Sequence, residues 1–161
     1  MYQRSLFETN KNIASTNNKF PEPQYLGAKY NFRKWIADNI PNKDSINSVF
    51  DAFSGSQSMS YYFKQLGYQV FSNDFMSFNN HIGKALVENS TDILTQSDID
   101  MLFSHATNKS EFTLIEDLYS DLFFERKEAV CIDNFRANIH KLNTTYKQSL
   151  AISIMNRSLT R

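Results

Sequence analysis

The sequence predicts an α/β fold, carried as an opening half and followed by a helical segment. Three observations point there. Ser48-Val49-Phe50 is an apolar, β-branched strand that runs into the tight turn Asp51-Ala52-Phe53-Ser54-Gly55-Ser56. Ser58 to Leu66 reads as a helix closed by Gly67, and Tyr68 to Ser72 as a second strand. That strand leads to Asn73-Asp74, an acid roughly 20 residues beyond the glycine turn, which is the spacing of a nucleotide-binding βαβ unit. In such a unit the glycine turn lets a ligand approach backbone at a helix N-terminus. The acid after the second strand accepts hydrogen bonds from a ribose.

The remaining elements follow in order. Met1 to Asn18 is polar and aperiodic, a loosely held arm, and Pro21-Glu22-Pro23 is stiff and extended. The arm therefore covers residues 1–22, and the α/β part covers 23–110. Tyr25 to Tyr30 forms a loop leading into a helix with Phe32, Trp35, Ile36 and Ile40 on one face, ended by Pro41. After the second strand, Met76 to Glu88 is a helix with Phe78, Ile82, Ala85 and Leu86 inward. Ser97-Asp98 caps a short helix carrying Ile99, Leu102 and Phe103. Phe112 to Phe124 is ambiguous between strand and loop. The helical segment, 111–161, then gives Arg126 to Leu142 and, after Asn143-Thr144-Thr145, Tyr146 to Arg161. Only two strands are supported, whereas a doubly wound sheet needs more.

Bulk properties narrow the field. A chain of 161 residues suits one domain with a real core. Lys and Arg number 17 against 17 Asp and Glu, so no net basic charge argues for a nucleic-acid surface, and a local patch is left open. The single cysteine, Cys131, has no internal disulfide partner, which fits a cytoplasmic location. It lies in an apolar helical stretch and is expected to be a buried structural thiol. No apolar run is long enough for a signal peptide or a membrane span.

The chemistry-bearing residues are few. Asp51 ends the first strand, where open α/β sheets bind ligands; it is either a ligand-facing acid or a simple turn residue. Gly55 permits a turn that a side chain would obstruct. Asp74 is a ribose acceptor or the N-cap of the Met76 helix. His81, His105 and His140 have no metal-ligand spacing, so no metal site is expected. No phosphate loop, nucleophile elbow or catalytic triad is present.

These pieces resemble the N-terminal part of Dam-like, type II N6-adenine-specific DNA methyltransferases. Tyr25-Leu26-Gly27-Ala28-Lys29 is similar to that family's first motif, and Asp51 to Ser58 to its glycine motif. Ser72-Asn73-Asp74 is similar to its ribose-binding acid, and Asp133-Asn134-Phe135-Arg136-Ala137-Asn138-Ile139 to a helix common in type II members. The resemblance covers about Pro23 to Arg161. It implies a partial Rossmann-like fold that binds S-adenosyl-L-methionine. It also implies a role in methylating double-stranded DNA within a restriction–modification system. Tyr25 opens the implied cofactor set. Lys29 would lie near the methionine carboxylate, Asp51 near the amino-acid end and Asp74 at the ribose hydroxyls. Phe53 and Gly55 would shape the pocket, with Phe75 near the adenine.

Two departures stand out. Gln57 occupies the place of a second glycine, where a side chain is expected to crowd the cofactor or shift the turn. The catalytic Asp-Pro-Pro-Tyr motif is absent, since the only prolines are Pro21, Pro23 and Pro41. In the family that motif holds the flipped adenine. The expectation is therefore a cofactor-binding fragment or subunit, without catalytic residues and inactive alone. A second chain carrying the catalytic half, or self-association, would complete it. The alternatives are a non-catalytic, methyltransferase-like regulatory protein and, more weakly, a nicotinamide-dependent oxidoreductase. The lack of Gly-x-Gly-x-x-Gly spacing argues against the last.

Overall fold

The computed structural model describes residues 29–41, 44–107 and 112–159. They fall into two compact units. One comprises the described residues up to Thr91 together with those from Ser153, and the other runs from Asp92 to Ile152.

In the first unit a 3-10 turn, Tyr30–Phe32, leads into α1 (Arg33–Asp38). Then come β1 (Ser48–Asp51), α2 (Ser58–Gln65), β2 (Gln69–Ser72) and α3 (Ser77–Ile82). The two strands pair in parallel, with Val49 opposite Val70, Phe50 opposite Phe71 and Asp51 opposite Ser72. Parallel neighbours need a crossover, and α2 supplies it. It buries Met59 and Phe63, and the Phe63 ring meets Tyr68 edge-on at 5.8 Å. Gly67 adopts φ 83° and ends the helix, so the predicted strand–turn–helix–strand is present within a residue or so at each end.

α3 continues as a π-helical segment, Gly83–Glu88, rather than as one regular helix. The Asn89 N–H reaches back to the Lys84 carbonyl, and Lys64 of α2 donates to the carbonyls of Leu86 and Asn89. These bonds satisfy the C-terminal carbonyls of a widened turn. Burial pulls the Lys64 amine down to about 8.

The expected inner face of the first helix is only half present. Ile36 is half-buried, but Phe32 and Trp35 are 60% and 66% exposed. Phe32 lies in the 3-10 turn, outside the α-helical period; within the six-residue helix Arg33, Ile36 and Ala37 are half-buried, and half-buried Ile40 lies beyond its end.

The second unit contains α4 (Gln96–Phe103), α5 (Leu114–Tyr119), α6 (Arg126–Asn138) and the start of α7 (Thr145–Leu159), up to Ile152. Thr95 and Asp98 form a capping box on α4. Leu102, Ala106, Ala129, Phe135, Ala137 and Leu142 are buried, and Phe103 packs on Phe135 at 5.2 Å. A polar line along α6 ties the helices together. Asp133 accepts the N–H groups of Ile115 and Glu116, Asn134 accepts from Ala106 N–H, and Asn138 donates to the carbonyls of Leu102 and Ser104. Within the stretch read as strand or loop, Leu114–Tyr119 is a helix, α5, whose start is fixed by Asp133, and residues 120–124 form a turn closed by a bridge between Ser120 and Phe124.

Cys131 is exposed, against the expectation of a buried thiol. Helical spacing puts Cys131 on the same side of α6 as Asn134, Phe135 and Asn138, all of which are buried. Cys131 is exposed because the covering of that side begins only after it, at Asn134. No helix among the described residues is long and apolar enough to cross a membrane.

Candidate functional site

The site forms where β1 and β2 end side by side. Asn73 N–H donates to the Asp51 carbonyl at 2.9 Å, and Ser54 N–H to the Asn73 carbonyl at 3.0 Å. The Ser54 hydroxyl adds a second bond to Asn73 O, so the two post-strand loops are stitched together. Gly55, at φ 50°, turns its N–H onto Asp74 Oδ2 at 2.7 Å. A left-handed backbone at this point suits glycine.

Asp74 is held from three sides. Besides Gly55, Met76 N–H donates to Oδ1 at 2.9 Å and Asn79 Nδ2 to Oδ1 at 2.8 Å. Burial raises the carboxyl pKa, but the bonds from Asn79, Met76 and Gly55 outweigh it, and the net direction is down. Asp74 is therefore anionic at neutral pH and suited to accept hydrogen bonds. It is not the helix cap: α3 starts at Ser77 with Met76 in the cap position. Asp51 accepts from the Ser60 hydroxyl of α2 through Oδ2 at 2.7 Å, which fixes its carboxylate beside the turn.

Asp51, Gly55 and Asp74 are thus brought together. Phe53 and Phe75 flank them in sequence and are 90% and 95% exposed, so neither ring is committed to the core. Lys29 is exposed at the entry to the 3-10 turn, where its carbonyl accepts from Phe32 N–H. Tyr25 lies outside the described residues. Among the described residues no group of three or more His, Cys, Asp or Glu could hold a metal.

Gln57 adopts φ 64° itself and is 1% exposed. Its Nε2 donates to Ser54 Oγ at 2.7 Å and to the Asn79 carbonyl at 3.2 Å. The amide also rests on Gly83, where an added Cβ would come within 3.1 Å of it. The side chain lies beneath the turn, in the interior of the unit.

Sequence reasoning missed Ser54, Ser60 and Asn79. Asn79 left one signal, a polar residue three positions before buried Ile82 and therefore on the same helix face. A cleft of about 590 Å³ also runs along β2 against α3 and the π segment, lined by Val70, Phe71, Gly83, Lys84 and Val87 among others. Asp51, Gly55 and Asp74 do not line it, and the strand-end chemistry weighs more than the volume.

Comparison with known proteins matches residues 25–161 to the family of D12 class N6 adenine-specific DNA methyltransferases. The type II methyltransferase M2.HphI of Haemophilus parahaemolyticus is 39% identical over 145 residues, covering 90% of this chain and 42% of that protein. The chain therefore spans less than half the length of this relative. No solved structure matches it significantly. The matched stretch takes in the glycine turn, the acid after β2 and the helical unit alike, and by that match the chain belongs to the D12 class of N6 adenine-specific DNA methyltransferases.

Proposed function

We propose that this chain is the cofactor-binding part of an S-adenosyl-L-methionine-dependent adenine N6-methyltransferase of a restriction–modification system, acting on double-stranded DNA. The observation that carries the reading is the Gly55–Asp74 junction at the strand ends: a backbone N–H turned onto an anionic carboxylate. Exposed Phe53 and Phe75 leave apolar surface for a purine, and Gln57 is folded away beneath the turn. The residues present therefore fit the cofactor, which supplies the methyl group. Asp74 takes the ribose, Asp51 the amino-acid end and Lys29 the carboxylate, with Phe53 and Gly55 shaping the pocket and Phe75 near the adenine; Tyr25 belongs to the same cofactor-binding set. None of these residues is assigned a catalytic role. The Asp-Pro-Pro-Tyr element that would hold the flipped adenine belongs to polypeptide outside these 161 residues, as a continuation or as a second chain.

Calorimetry with S-adenosyl-L-methionine tests the binding half of the proposal. Asp74→Ala is expected to weaken affinity by roughly 10-fold or more, the value of a hydrogen bond to a charged group. Unchanged affinity would remove Asp74 from the site. Transfer of a labelled methyl group to duplex DNA tests the other half, with no incorporation expected from the chain alone. Incorporation at adenine would mean that the 161 residues hold a complete catalytic site.

A further inference from the structure

Resting on the reading of Asp74 as the ribose acid, we propose that Asn79 is a positioning residue that leaves Asp74 a single open acceptor. The ligand's vicinal diol is then read through one hydroxyl only. An ionised carboxylate offers about four acceptor directions, two on each oxygen. Here Met76 N–H and Asn79 Nδ2 take both directions on Oδ1. Gly55 N–H takes one on Oδ2. One direction on Oδ2 is left, and it can accept one hydroxyl.

Asn79 is the adjustable member of this set, because the other two donors are backbone. It is fully buried, and its own Oδ1 is buried without a hydrogen-bond partner. Turning the amide over would set that oxygen against the Asp74 carboxylate, so the carboxylate fixes the orientation. A leucine would fill a similar volume without an orphaned acceptor, whose burial is unfavourable. What asparagine adds at this position is the donor to Asp74. The Asn79 carbonyl accepts from Gln57 Nε2, which anchors the start of α3 to the glycine turn and holds that donor in place.

The test compares the unchanged chain, Asn79→Leu and Asp74→Ala, using S-adenosylhomocysteine and its 2′-deoxy and 3′-deoxy analogues in calorimetry. In the unchanged chain, loss of one hydroxyl is expected to cost roughly 10- to 100-fold in affinity and loss of the other no more than about threefold. In Asn79→Leu the freed Oδ1 position makes the second hydroxyl count as well. Equal losses for both analogues in the unchanged chain would overturn the single-acceptor count. A one-hydroxyl pattern that survives in Asn79→Leu would overturn the role of Asn79. If Asp74→Ala discriminates between the analogues as the unchanged chain does, the ribose reading itself fails, which is a separate outcome. A ligand-free measurement decides the positioning role even where binding is too weak to read. The NMR titration of the Asp74 carboxyl should move upward in Asn79→Leu, and an unmoved titration refutes the proposal. Asn79→Ala removes the same donor and serves should the leucine variant not fold.

Discussion

At Gln57 two opposed effects meet in one residue. A non-glycine residue in the left-handed region costs about 1–2 kcal/mol, and Gln57 sits there at φ 64°. Its side chain gives back two buried hydrogen bonds and fills the space over Gly83, against the cost of its own Oε1, buried without a hydrogen-bond partner. Buried packing of this size is worth more than the backbone cost, so Gln57→Gly is expected to lower stability by about 1–2 kcal/mol in urea unfolding. The same change leaves room for a methyl group at position 83. Gly83→Ala alone forces a contact at 3.1 Å, but combined with Gln57→Gly it becomes tolerated or stabilising, since alanine is the better helix former. A double-mutant cycle reads this coupling directly. A more stable Gln57→Gly single variant would mean that the glutamine strains the turn rather than supporting it.

Among elements, local pattern decides what is legible. β1, the glycine turn, α2 and β2 were readable because alternation, helical spacing and Gly67 all act within a few residues. Gly55 and Asp74 lie nineteen residues apart, and they were picked out by the spacing of a known motif, whereas the hydrogen bond that joins them was not legible. Nor was α5, because its start depends on Asp133, seventeen and eighteen residues away in sequence. Asn79 was half-legible: helical spacing puts it on the buried face of Ile82, but periodicity does not report its partner, a carboxylate on the preceding loop. The Asp98–Lys147 pair belongs to this long-range class and carries a pH signature. The Lys147 ammonium, then Thr95, bond the Asp98 carboxylate and hold its pKa at about 2. Unfolded Asp titrates near pH ~3.9, so the folded value is depressed. The stabilisation is complete above the unfolded pKa and is lost as pH falls through the folded one. Asp98→Asn should therefore lower the melting temperature at neutral pH, with the gap to the unchanged chain narrowing as pH falls from ~4 toward ~2. A gap that is the same at both ends would assign the loss to cap geometry and not to charge.

At the scale of the whole molecule the sheet is the element that asks for more polypeptide. Among the described residues it has two strands, and parallel sheets occur almost only with both faces covered and more strands present. Phe50 and Phe71 are register partners, so their rings share one face, and they are 66% and 52% exposed. An adjacent pair of uncovered aromatic residues beside unpaired strand edges is a site for association. The relative M2.HphI is more than twice as long as the stretch matched here, and on the proposed reading the remaining polypeptide supplies both the cover and the catalytic element. The chain by itself is then expected to self-associate at micromolar concentration, and Phe50→Ser with Phe71→Ser to reduce that association. Co-expression with a polypeptide carrying Asp-Pro-Pro-Tyr should convert it to a defined complex. Sedimentation velocity distinguishes these species. A compact monomer that unfolds cooperatively without a partner would show that the two-strand sheet and its helices close a sufficient core, and that Phe50 and Phe71 are ordinary surface residues.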